Sequence, residues 1–172
     1  MDEARLMAEV SRGNREAFTE LATHFLPMIE RFALRVLHRP ALAEEVAQES
    51  LLRLWQQADR YDPSKSRLTT WLHRIAHNLS IDVLRRERLE LLEEPVESAV
   101  AVEDTTEELS AQVRAGLAQL AQQHRTALAL TYYQGLSNRE AAEVMGLSTR
   151  ALESLLVRAR TQLKTLLMEV TP

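Results

Sequence analysis

Near its C-terminus the chain reads Leu136-Ser-Asn-Arg-Glu-Ala-Ala-Glu-Val-Met-Gly-Leu-Ser-Thr-Arg-Ala-Leu152, and few arrangements satisfy this stretch. Ser137 can cap a helix, and Glu140 three residues later completes a capping box. Leu136, just before the cap, can staple onto the first turn. Gly146 stands where that helix must end and where the backbone can turn left-handed at least cost. Ser148 can then cap a second helix. Small Ala142 lets the two helices approach, and Met145, Leu147 and Leu152 can fill the angle between them. The pattern predicts a helix-turn-helix, whose second helix is shaped for a DNA major groove.

The rest of the composition agrees with helices. The 172 residues include only four Gly and five Pro, and 45% are hydrophobic, enough to bury real cores in one or two small domains. With no cysteine there is no disulfide, thiolate metal site or thiol nucleophile. No apolar run approaches the ~20 residues of a membrane span. The N-terminal Met1-Asp-Glu-Ala-Arg lacks an apolar signal core, so the expected location is the cytoplasm, without membrane insertion. A net charge of −4 looks wrong for a DNA binder until its distribution is considered. Between Glu87 and Glu108 nine acidic residues accompany one arginine, so that segment carries −8 and the remainder +4.

The chain divides accordingly into two small helical domains. Residues 1–88 read as one unit, with apolar periodicity through Phe18, Leu21, Phe25, Ile29, Phe32 and Val36, a break at His38-Arg-Pro40, and further helices over about 41–58 and 68–88. Residues 89–106, with Pro95 and the acidic run, read as a flexible linker. Residues 107–172 form the second unit. There Leu109, Val113, Leu117 and Leu120 mark one helix, Leu128, Leu130 and Tyr133 another, and the helix-turn-helix ends near Leu167.

Two helix faces carry candidate sites. On a wheel of about 100° per residue, Ala43, Val46, Ala47, Leu51, Leu54, Trp55 and Ala58 share one half of the 41–58 helix. Glu45, Gln48, Glu49, Arg53 and Gln56 occupy the other, with Leu52 alone in their midst. That face is either a solvated surface with one stray leucine or a protein-docking face with Leu52 as its anchor. In the 68–88 helix, Leu68, Leu72, Ile75, Leu79 and Val83 form a core stripe, flanked by Trp71, Arg74, Asn78 and Arg85. An aromatic plate beside an amide and guanidinium groups suits unstacked bases and phosphates, although a tryptophan beside a core stripe is usually core. Tyr61, Lys65 and Arg67 in the preceding loop can extend the same surface. His73 and His77 have a metal-capable spacing, but without an adjacent Glu base or third ligand they read as ordinary histidines. There is no Gly-rich phosphate loop and no Ser/His/Asp pattern, so no catalytic residue, metal or cofactor is expected.

Taken in order, Ala43-Glu-Glu-Val-Ala-Gln-Glu-Ser-Leu-Leu-Arg-Leu-Trp55, the loop from Tyr61, Thr70-Trp-Leu-His-Arg-Ile-Ala-His-Asn-Leu79, Ile81-Asp-Val-Leu-Arg-Arg86 and the terminal helix-turn-helix resemble the extracytoplasmic-function (ECF) sigma factors of the bacterial sigma-70 family. The resemblance covers nearly the whole chain. It implies an all-α protein with a region 2 bundle and a region 4 helix-turn-helix, acting as a promoter-specificity subunit of RNA polymerase. It also implies that Glu45, Gln48, Glu49, Leu52 and Arg53 dock on the clamp helices of the β′ subunit. Tyr61, Lys65, Arg67, Trp71, Arg74, Asn78 and Arg85 would melt the −10 element and capture a flipped base, at a cost that stacking and hydrogen bonds can offset. Region 4 would bind the β flap and read the −35 element through Thr149, Arg150, Glu153, Ser154, Arg158 and Arg160, the last two on phosphates. An anti-sigma factor clamped between the domains is a further implied partner. An acidic linker would thread near the RNA path and avoid binding DNA by itself.

The chain departs from the family pattern in two places. Where the recognition helix commonly has Gly-Thr-Val-Lys-Ser-Arg-Leu, Arg150-Ala-Leu-Glu-Ser-Leu-Leu156 stands instead, so Glu153 and Leu155 replace basic positions. Glu accepts from a cytosine amino group but repels phosphate; Leu155 can enlarge a hydrophobic contact. Leu68 stands where an aromatic is common. The rival readings are a stand-alone helix-turn-helix regulator with a sensor pocket in residues 1–88, and a helical adaptor for protein contacts only.

Overall fold

The computed structural model describes residues 1–90 and 111–169. Among the described residues there are helices and no strand, in two compact units. The expected 89–106 linker lies almost wholly outside the described residues.

The first unit has four helices. The apolar periodicity from Phe18 onward does not reveal α1, Glu3–Ser11. Asp2 caps it by accepting from the Arg5 N–H at 3.0 Å, and Leu6, Met7 and Val10 form its buried side. Asn14 caps α2, Arg15–Leu37, by accepting from Glu16 and Ala17. Leu21, Phe25, Ile29, Phe32 and Val36 recur at helical spacing and are buried. Pro27 interrupts the sequence but not the helix, because it faces solvent. His38 ends α2 in a left-handed conformation (φ 55°), and Pro40 opens α3, Pro40–Gln56. Both residues do what the predicted break requires. A short helical turn at Ala58–Arg60 and a loop lead to α4, Leu68–Glu90. That helix runs two residues past the expected boundary at 88. An ion pair between Arg39 and Glu87 joins the start of α3 to the last turns of α4.

In this unit α2 packs against both α3 and α4, while α3 also packs against α4. The consequence for α4 is a wider buried arc than one stripe. Thr70, Trp71, His73, Ala76 and Ser80 are buried, and Ile75, expected in the stripe, is half-exposed. A wheel assumes one packed side; here two helices cover α4. His73 is enclosed edge-on against Phe32 at 5.2 Å, with Nδ1 2.8 Å from the Thr69 carbonyl. His77 is largely buried, and its Nδ1 has no hydrogen-bond partner. Burial pushes its pKa below the ordinary 6.5, partly offset by a hydrogen bond with Asn78. Below pH 6.5 the unfolded chain therefore takes up a proton that the folded chain refuses, so stability falls as pH falls through that value. The urea midpoint of the first unit should drop between pH 7.5 and 5.5, and drop less in His77→Gln. An equal drop in both proteins would remove His77 as the cause.

The second unit contains α5 (Ala111–Gln119), α6 (Gln122–Leu128), a π-helical turn at Ala129–Tyr133, α7 (Asn138–Met145) and α8 (Thr149–Glu169). Helices α5, α6 and α7 all pack on α8. Gly116 lets α5 come close, since a Cβ there would meet Leu163 at 3.2 Å. The caps and the turn expected of the helix-turn-helix are present, while Met145 and Leu147, expected to fill its angle, are half-exposed. The Ser137 hydroxyl accepts from the Glu140 N–H at 3.2 Å, and the Glu140 carboxylate accepts from the Ser137 N–H at 2.9 Å. Gly146 has φ 66°, and Ser148 caps α8 by accepting from Ala151 at 3.1 Å. Ala142 and Leu152 are buried at the junction. Ser137→Ala should cost the second unit about 0.5–2 kcal/mol, read as a lower urea midpoint with unchanged slope. No change would mean that the box contributes nothing.

Candidate nucleic-acid interface

Three exposed surfaces gather the expected site residues. On α3 the inner face of Ala43, Val46, Ala47, Ser50, Leu51 and Leu54 is buried. Opposite it Glu45 and Gln48 are exposed, and Glu49 and Arg53 are half-exposed. Leu52 stands among them with 47% of its surface in solvent. The ring around it is ordered by its own contacts. Gln48 donates to Glu44 at 3.0 Å and Arg53 pairs with Glu49 at 3.1 Å. Exposed i,i+4 pairs contribute little to stability, but they hold polar heads around an apolar centre, the arrangement of an anchor and its rim.

The second surface is the 61–67 loop with one flank of α4. Asp62 organises the loop by accepting from the Ser64 N–H at 2.9 Å and hydroxyl at 2.7 Å. These bonds lower its pKa, so the carboxylate stays ionised. Tyr61 donates its hydroxyl to the Ser66 carbonyl at 3.3 Å. Burial, then Glu3 and Asp62, raise its pKa and keep it neutral. Trp71 does not stand as an open aromatic plate. It is only 8% exposed, and the Tyr61 ring leans over it at 5.5 Å. Packing of the large indole favours the interior, so the half-exposed ring on this surface is Tyr61. Around it Lys65, Arg67, Asn78 and Arg85 are exposed and Arg74 is half-exposed. Lys65 lies 3.8 Å from Asp62, and Arg85 lies 3.8 Å from Asp82. Asn78 is also engaged with His77.

The third surface is the outer face of α8. Thr149, Arg150, Glu153, Ser154, Arg158 and Arg160 are all exposed. Leu155 is 5% exposed and lies in the core with Leu152 and Leu156, so the leucine at this usually basic position serves packing rather than DNA. Sequence reasoning missed Val157. It is 57% exposed, and at about 100° per residue it lies between Glu153 and Ser154 at the centre of the outward face. A wheel of α8 would have found it as an apolar residue inside a polar arc. Arg158 and Arg160 lie on opposite edges of that face. Arg158 donates to the Ser154 carbonyl at 3.4 Å, and Arg160 donates to the Tyr132 hydroxyl at 2.9 Å. Among the described residues no group of His, Asp or Glu side chains is placed to hold a metal ion, and no helix is long and apolar enough to cross a membrane.

Comparison with known proteins bears on all three surfaces. Residues 21–90 match the Sigma-70 region 2 family, and residues 110–163 match Sigma-70, region 4. The chain belongs to the sigma-70 family. Its similarity to the ECF RNA polymerase sigma factor RpoE of Cereibacter sphaeroides is 31% identity over 153 residues, 86% of this chain and 84% of that protein. The ECF sigma factor SigW of Bacillus subtilis is 27% identical, with 91% of each chain covered. Among solved structures, CnrH in complex with the cytosolic domain of CnrY superposes with a TM-score of 0.75 at 28% identity, covering 98% of this chain and 99% of that one. RpoE of Bartonella quintana, solved with the anti-sigma factor NepR, shares the fold with a TM-score of 0.76 at 24% identity, covering 90% and 98%. This sigma factor is therefore of the ECF type, and its family comprises transcription initiation factors rather than enzymes. Its region 2 spans the α3 face, the 61–67 loop and α4. Its region 4 match takes in α8 from Thr149 as far as Leu163.

Proposed function

We propose that the sigma factor divides promoter recognition among the three surfaces. The α3 face, with Leu52 as anchor and Glu45, Gln48, Glu49 and Arg53 as rim, docks on the β′ clamp helices. Tyr61, with Lys65, Arg67, Arg74, Asn78 and Arg85, receives the separated strand of the −10 element. Trp71 supports Tyr61 from beneath rather than stacking on a base itself. The observation that carries this assignment is the tethered loop, in which Asp62 and Ser66 hold Tyr61 in place before any base arrives. A preorganised platform loses less entropy on binding.

Thr149, Arg150, Glu153, Ser154 and Val157 enter the major groove of the −35 element, and Arg158 and Arg160 hold phosphates on its two sides. Val157 meets a thymine methyl. Burying one such contact is worth about 0.8 kcal/mol, or roughly fourfold in affinity. Replacing the contacted thymine by deoxyuridine, which lacks only the methyl, should weaken the wild-type holoenzyme by that amount and leave Val157→Ala unaffected. Equal losses in both proteins would remove Val157 from readout.

The protein carries no chemistry of its own in this scheme and acts in the cytoplasm, on the nucleoid when bound to polymerase. The likeness to CnrH, solved with a cytosolic partner domain, supports an anti-sigma partner here too. A stand-alone regulator needs a ligand pocket in the first unit, whose interior is instead filled by Leu21, Phe25, Ile29, Phe32, Leu54 and Leu72. Titrating −35 duplex with the protein alone and with core polymerase present tests the choice. The proposal expects tight binding only with polymerase; tight binding by the protein alone favours the regulator.

A further inference from the structure

Tyr132 is the feature of the second unit that the functional scheme leaves unexplained. Its ring is 62% exposed although its neighbours Ala129 and Leu130 are buried. It lies in the π-helical turn Ala129–Tyr133. One residue inserted into a helix rotates all later side chains by about 100°, so the wide turn is what carries a large aromatic out of the core. The hydroxyl that it exposes accepts a hydrogen bond from Arg160 Nη1 at 2.9 Å, across 28 residues of sequence.

The chemistry of this contact differs from the α3 rim, where Arg53 is paired with a carboxylate. A carboxylate partner cancels the charge of a guanidinium. A neutral phenol leaves the full charge, and it occupies one of five N–H donors. It also limits a side chain that otherwise carries about 2 kcal/mol of rotamer entropy.

From this geometry we infer that Tyr132 is a positioning residue for promoter binding: it holds Arg160 toward the sugar-phosphate backbone beside the −35 groove. The inference rests on the reading of α8 as the −35 helix. The ligand is a phosphate that Arg160 reaches only once α8 is seated in its groove, so the effect depends on that seating and on salt.

The test uses full-length protein in holoenzyme with bacterial core polymerase. The probes are two duplexes, one carrying a −35 element selected by the wild-type holoenzyme from a random library and one with that element scrambled. Tyr132→Phe keeps the ring and removes the hydroxyl. It should weaken binding to the first duplex by about fivefold, as for one hydrogen bond, and reduce the steepness of its salt dependence. Binding to the scrambled duplex and to core polymerase should stay at the wild-type level. In an Arg160→Ala background, which should itself lose affinity, Tyr132→Phe should cost nothing more. A full Tyr132→Phe loss in that background, or no loss in the wild type, overturns the inference. A loss on both duplexes or in core binding places Tyr132 in the fold instead and overturns it as well. If Arg160→Ala alone leaves −35 binding intact, the reading of α8 fails and this inference with it.

Discussion

Leu52→Asp should cut the affinity of the protein for bacterial core RNA polymerase by about 30- to 1,000-fold, the loss of about 2–4 kcal/mol at an interface anchor. The α3 helix buries its other face, and Leu52, 47% exposed, is not among the residues that it buries. The substitution therefore removes an exposed apolar group and leaves the fold as it was. A carboxylate at the same place adds to Glu45 and Glu49 and would be desolvated in any apolar pocket, which makes the loss larger than for Leu52→Ala. Gln48→Ala and Glu45→Ala, in the rim, should each cost much less. The measurement is a fluorescence titration of labelled protein with core enzyme, accompanied by thermal melting of the free variant. Wild-type affinity in Leu52→Asp would show that the leucine is a stray surface residue. A lowered melting temperature would show that it belongs to the core.

Leu152→Ala should be the most damaging single change to the second unit. Leu152 is fully buried where α8 leaves the turn, and Ala142 of α7 is buried too. Truncating such a side chain typically costs about 2–5 kcal/mol. A small unit has little reserve, because a short chain buries a smaller share of its surface than a long one. The variant should lose the helix-turn-helix and with it −35 binding, while the first unit keeps its protection and its affinity for core polymerase. Hydrogen exchange read by segment separates the two. Amides of α7 and α8 should exchange freely, and those of α2 and α4 should not change. Loss of protection in both units would mean that the chain folds as one cooperative body. Protection retained in α8 would mean that the turn does not depend on Leu152.

The parts of this fold that were legible in the sequence are those fixed by local chemistry. Ser137, Glu140, Gly146 and Ser148 define their turn within a dozen residues, and the capping bonds and the left-handed glycine are where the pattern put them. The break at His38 and Pro40 is equally local. Leu52 could be placed on an exposed arc because α3 buries a single broad side. What was not legible depends on contacts between distant segments. The burial of Trp71 and His73 results from α2 and α3 both covering α4, and from Tyr61 returning over the indole. No wheel of α4 contains that information. Leu155 is buried and Val157 exposed because α5, α6 and α7 all pack on α8, which no pattern within α8 announces. The short α1 has too few turns for periodicity to rise above its surroundings, although Asp2 and Gly13 mark its ends.

The central claim is that one surface grips polymerase while two others select DNA. In vitro transcription with bacterial core enzyme over a random promoter library tests it most directly. The account predicts transcripts that require this protein, starting downstream of two short elements at a fixed spacing. Val157→Ala and Tyr61→Ala should each change the selected sequence, in the upstream and downstream element respectively. Transcripts without a shared pair of elements, or none at all with core enzyme saturated, would contradict it.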